Sequence, residues 1–73
     1  MKYIILEDTM YYKHHYVDTI VPSLVHYNRY TNTSTENIKK AFKCSLLQAK
    51  IISKILLDNP GHHQIKYPIL ILE

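Results

Sequence analysis

The sequence predicts a small α+β domain, mainly α, with three helices and a short terminal β-pair. Near-copies of one apolar phrase bracket the chain, Lys2-Tyr3-Ile4-Ile5-Leu6-Glu7 and Lys66-Tyr67-Pro68-Ile69-Leu70-Ile71-Leu72-Glu73. Between them, apolar residues recur at three- and four-residue spacing, the period of a helix face. A length of 73 residues limits the chain to one domain, 1–73, with a modest core.

Each bracket is Ile-rich, short and bounded by charge or Pro, as a buried strand is. A strand over 3–6 paired with one over 69–72 would join the two ends of the sequence, or join two copies of it. Pro68 has no N–H to give and suits a strand start or an edge.

Tyr16, Val17, Ile20, Val21, Leu24 and Val25 form the first helical stripe. Asp8 or Thr9 would cap one helix over about 9–30, kinked near Pro22; alternatively Asp18 starts a shorter helix, with Pro22 in its first turn. The polar stretch Thr31-Asn32-Thr33-Ser34-Thr35 ends it. Thr33-Ser34-Thr35-Glu36 then reads as a capping box, opening a second helix with Ile38, Ala41 and Phe42 on its apolar side. Ser45-Leu46-Leu47-Gln48 is a second capping box, after which Ala49, Ile52, Ile55 and Leu56 turn inward. Asp58-Asn59-Pro60-Gly61 stops the third helix. Gly61-His62-His63-Gln64 follows as a short loop.

Two capping boxes so close together predict a helix-turn-helix over about 33–58. The complete order is that of a winged helix with an abbreviated wing; a helical bundle with a terminal hairpin has the same order. In the Ile38–Leu56 stretch, Phe42 is followed by a small residue seven on, Ala49, then by Ile52 and Leu56. This frame resembles the winged-helix gamma domain that ends bacterial FtsK-type DNA translocases. The resemblance covers residues 16–72, and its specific part spans about 20 of them. It implies double-stranded DNA binding, with the helix from Ser45 in the major groove. The places that read bases in that family fall here on Leu47, Gln48 and Ile51. Leu and Ile make no bidentate contact to a base edge, so Gln48 is left as the base-edge reader and the family's G-rich target does not transfer.

Charge points the same way independently. Net charge is +3, and Lys39, Lys40, Lys43, Lys50 and Lys54 lie between Asn37 and Leu57 with no acid among them. Five such lysines neutralise phosphates and give salt-dependent affinity, unless they merely solvate helix faces. The expected DNA surface is therefore Lys39, Lys40, Lys43, Ser45, Leu47, Gln48, Lys50 and Lys54, with His62 and His63 in the wing. A homodimer would supply the DNA contact area that one small domain lacks. The rival reading is a protein-interaction module of a phage or mobile element, docking through exposed Leu46, Leu47 and Ile51.

Other features carry less. His14-His15 and His62-His63 are adjacent pairs, and neighbours on a helix point about 100° apart, so neither pair chelates a metal alone. Tyr11, Tyr12, Tyr16, Tyr27 and Tyr30 read as core packing with hydroxyls at the rim; exposure of several would indicate an interface instead. Cys44, the one cysteine, reads as packing in a turn, and a single thiol excludes an internal disulfide. No phosphate loop, paired carboxylates or catalytic signature is present, so no enzyme and no cofactor are expected. No apolar run nears the roughly 20 residues of a membrane span. The expected location is the cytoplasm. The eight-to-one excess of Lys over Arg suits AT-rich coding.

Overall fold

A computed structural model describes residues 1–9, 15–24, 27–58 and 65–72. It is mainly β, with 46% of described residues in strands and 25% in helix. Among the described residues four strands, β1 (Lys2–Glu7), β2 (His15–Pro22), β3 (Tyr30–Thr35) and β4 (Ile69–Leu72), form one antiparallel sheet in the order β3-β2-β1-β4. One α-helix, α1 (Leu46–Leu57), packs on it, preceded by a single 3-10 turn at Ile38–Lys40. This corrects the predicted winged helix-turn-helix: two of its three helices are absent from the described residues, and no pair of helices crosses.

β1 is central, and its apolar run is continuous because both faces are covered. Ile5 faces the core beneath α1, while Ile4, on the opposite face by alternation, is equally buried. The terminal phrases pair within the chain, Lys2↔Leu72 through Ile5↔Ile69, and the ladder continues through Leu6 N–H to Pro68 O and a reciprocal Asp8–Lys66 pair.

The predicted first helix is β2 instead. Tyr16, Val17, Thr19, Ile20 and Val21 are aromatic or β-branched and suit a pleated surface better than a helix. The three-residue step from Val17 to Ile20 arises from a bulge between Val17 and Thr19. One extra residue, Asp18, shifts the alternation so that Val17 and Ile20 both face the core. Pro22 ends the strand opposite Tyr30, with no helix for it to kink.

Thr33 and Glu36 form no capping box. Thr31 to Thr35 lie in β3, and the cap of the following 3-10 turn is Asn37, whose Oδ1 accepts from Lys39 N–H at 3.0 Å. The second predicted box is present: Ser45 Oγ accepts from Gln48 N–H, and Gln48 Oε1 accepts from Ser45 N–H, both at 3.2 Å. It opens α1, which buries Ala49, Ser53 and Leu56. Ile55 does not turn inward; it is exposed at the margin of the buried face.

Between the 3-10 turn and α1 the chain enters the sheet. Among the described residues, β1 and β2 pair directly at Leu6↔Tyr16 and Glu7↔His15. Residues 42–44 fill the gap beyond: Phe42 N–H donates to Val17 O, and Cys44 exchanges both backbone bonds with Tyr3. The core beneath α1 is Ile5, Val17, Cys44, Ala49, Leu56 and Tyr67.

Candidate docking surface and lysine cluster

Eight of the twelve residues of α1 are apolar, far more than one face of a sheet can cover. At 100° per residue, Ala49, Ile52, Ser53 and Leu56 form the inward side. Leu47, Ile51 and Lys54 lie opposite. Leu47 is 70% exposed and Ile51 51%, so this crest is apolar and open. Leu46 and Leu57, also exposed, flank it on the side that carries Lys50. A helix that is apolar nearly all round is usually enclosed; here only the sheet side is.

The lysines divide into two groups. Lys39 and Lys40 project from the 3-10 turn, and Lys50 and Lys54 from α1, all four exposed. Lys43 is different: its Nζ donates to Lys39 O at 2.8 Å and to Ala41 O at 3.1 Å. It thereby satisfies carbonyls at the end of the 3-10 turn, and most of its donors serve the fold. Among the described residues, the ion pair found is His15 with Glu36, at 3.4 Å, and none of the five lysines faces a carboxylate.

Of the predicted DNA-contacting residues, Leu47, Lys50 and Lys54 share the outward half of α1. Ser45 and Gln48 are occupied with each other in the cap. Gln48 Oε1 accepts from both the amide and the hydroxyl of Ser45, which limits its freedom as a base reader. His62 and His63 lie outside the described residues, as do His14, Tyr11 and Tyr12. Tyr27 and Tyr30 are not core residues; they are 90% and 44% exposed. With Pro22, Ser23, Asn28 and Arg29 they line a depression of ≈ 440 Å³ at the β2–β3 connection. Asn28 takes a left-handed φ of 60°, a conformation its side chain tolerates. Arg29 Nη1 reaches the helix end and donates to Asp58 O at 3.0 Å. Tyr16 is half-buried in β2.

Cys44 is buried, and its Sγ lies 3.7 Å from Tyr3 O. Burial pushes its thiol pKa up, so it packs as a small apolar side chain, in a β-bridge with Tyr3 where a turn between helices was expected.

One polar group has no counterpart in the sequence reading. The Tyr67 hydroxyl donates to Asn32 Oδ1 at 3.2 Å, and Asn32 Nδ2 donates to Glu7 Oε2 at 3.3 Å. Ser53 Oγ donates to Tyr67 O at 2.7 Å. Burial, and then the Glu7 carboxylate, push the Tyr67 pKa up to about 12. Residues from three strand regions and the helix are thus tied beneath α1. Thr31 to Thr35 are all polar, so no apolar alternation in β3 marks Asn32 as the inward residue.

Among the described residues, no three His, Cys, Asp or Glu side chains gather as metal ligands, and no helix is long and apolar enough to cross a membrane. The chain matches no family model, and no curated protein or solved structure is significantly similar to it.

Proposed function

We propose that this chain is a protein-interaction domain whose contact surface is the outer side of α1. The observation that carries the reading is the open crest of Leu47 and Ile51, extended by Leu46 and Leu57, on a helix whose other side already fills the core. Exposed apolar patches of this kind are characteristic of interfaces. Lys50 and Lys54 beside the crest select a partner with an apolar groove rimmed by carboxylates. Tyr27 and Tyr30 add amphipathic rings at the end of the domain reached by Asp58.

The test compares proteins retained by the immobilised parent with those retained by a Leu47→Lys/Ile51→Lys double variant and by Lys39→Ala/Lys40→Ala. A partner held by the parent and the lysine variant but released by the double variant is expected. Equal retention by the parent and the double variant removes the crest from the reading.

A second reading, duplex DNA binding, rests on the five lysines without a carboxylate partner. It does not need a helix-turn-helix, since phosphate contacts are sequence-independent. Labelled random duplex titrated over a salt series decides it. Affinity falling by several ions' worth of log–log slope, and lost on charge reversal of the exposed Lys39, Lys40, Lys50 and Lys54, supports DNA. No binding at low salt leaves the protein-interaction reading alone.

A further inference from the structure

We infer that β4 is a self-association edge, through which two copies of this chain join antiparallel, β4 to β4, about a two-fold axis at Leu70. Among the described residues, the sheet order leaves two edges, β3 and β4. β3 reads Tyr-Thr-Asn-Thr-Ser-Thr, an edge that is polar beyond Tyr30. β4 reads Ile-Leu-Ile-Leu, with no charge or Pro inside it.

The register identifies which backbone groups the edge presents. Antiparallel partners alternate between hydrogen-bonded and non-hydrogen-bonded pairs. Leu6 bonds to Pro68 and Asp8 to Lys66, so Ile4↔Leu70 and Lys2↔Leu72 are the bonded pairs further along the same ladder. The N–H and C=O of Ile69 and Ile71 therefore point away from β1. Among the described residues nothing donates to or accepts from them. Ile71 is 57% exposed and Leu70 38%.

The occupant follows from symmetry. Ile69-Leu70-Ile71 reads the same in both directions, so a two-fold axis at Leu70 sets Ile69 of each copy opposite Ile71 of the other and Leu70 opposite Leu70. The outward groups of Ile69 and Ile71 then form bonded pairs, four hydrogen bonds in all. The apolar side chains on both faces gain like neighbours, and an isologous interface of this type closes at two copies. The nearest lysine of the flanking strand, Lys2, lies one strand away from the seam, opposite Leu72.

Sedimentation velocity from about 1 µM to about 1 mM, the range of a modest interface, is the test. The expected result is a shift from the 8.7 kDa chain to a species of twice that mass. Ile71→Pro removes an outward N–H and no bond to β1, so it should stay folded by circular dichroism and remain monomeric throughout. Ile71→Lys should do the same by placing a charge on the seam. Amide exchange at Ile71 should slow about tenfold between the dilute and concentrated limits; this reading needs no variant. A parent that stays monomeric, a folded Ile71 variant that still dimerises, or an Ile71 amide indifferent to concentration each overturns the proposal. So does a dimer lost in the Leu47→Lys/Ile51→Lys variant but kept in Ile71→Pro, which would place the contact on α1.

Discussion

The amide of Phe42 donates to the carbonyl of Val17 across 2.9 Å, and with it a loop segment becomes part of the sheet. Where β1 and β2 part, Val17 and Tyr3 would otherwise hold buried backbone groups without partners, a costly state. Residues 42–44 satisfy both sides, and the same few residues set the point from which α1 starts.

Phe42→Pro should therefore destabilise the fold by about 1–3 kcal/mol, the cost of a buried acceptor left unpaired. The preceding residue, Ala41, is already extended (φ -62°, ψ 143°), a conformation that accepts a following Pro. Phe42→Ala keeps the amide and trims a partly exposed ring, so it should cost less. Urea midpoints of the two variants make the comparison; equal losses would assign the effect to the ring.

Deleting Asp18 should be more damaging than replacing it. The bulge brings Val17 and Ile20 to one face, and its removal returns the strand to strict alternation, with one of them turned outward. Val17 is fully buried, and losing such a contact costs on the order of 2 kcal/mol before ladder rearrangement. Asp18→Asn should change stability little. A deletion variant with the parent's denaturation midpoint would show that the bulge does not set the facing of β2.

That bulge also explains why the sequence misleads. Apolar spacing of three is a helical sign only if the backbone is regular, and one inserted residue imitates it. The β-branched content of 17–21 was the competing signal, and the Thr-rich run after it was legible as β3 on the same ground. Signals that act within a few residues survived. The terminal phrases pair as strands, and the Ser45–Gln48 box opens a helix, because strand composition and caps are local. Long-range relations did not survive: the insertion of 42–44 between β1 and β2, and the Asn32–Tyr67 bond across 35 positions, have no fixed spacing. At the candidate site, exposure of Leu47 and Ile51 was readable from the wheel of α1. The local use of Lys43 and Gln48 was not.

Ser45→Ala tests the surviving local signal. It removes the acceptor for the Gln48 amide and should cost about 1 kcal/mol, lowering Tm by about 4–8 °C in a domain of this size. Ser45→Asp, another good cap with negative charge at a helix start, should restore the parent value. If Ser45→Asp is no better than Ser45→Ala, capping is not what the serine contributes.

Two neighbours on α1 should respond in opposite ways. Ala49 is fully buried against the sheet, so Ala49→Leu overpacks the core and should cost about 1–3 kcal/mol. Leu47, two residues earlier on the open crest, should accept Lys within about 0.5 kcal/mol. Thermal melts of both variants check this. A large loss for Leu47→Lys would mean that the crest is covered, and the docking reading would fail with it.

Tyr67 sets an alkaline limit on stability. Its folded pKa is pushed up to about 12 from an ordinary 10.0, so the folded state holds the proton to higher pH than the unfolded chain does. Its contribution is complete below pH 10 and is lost as pH rises through about 12. Tyr67→Phe leaves Asn32 Oδ1 without its donor and should cost about 1–3 kcal/mol at neutral pH. The same change should flatten the alkaline fall, because no proton remains to be lost. Urea midpoints of the parent and variant from pH 7 to pH 12 should therefore converge as pH rises. A constant gap between the two curves would mean that the Tyr67 pKa is the same in the folded and unfolded states, and that its hydroxyl matters only as a hydrogen-bond donor.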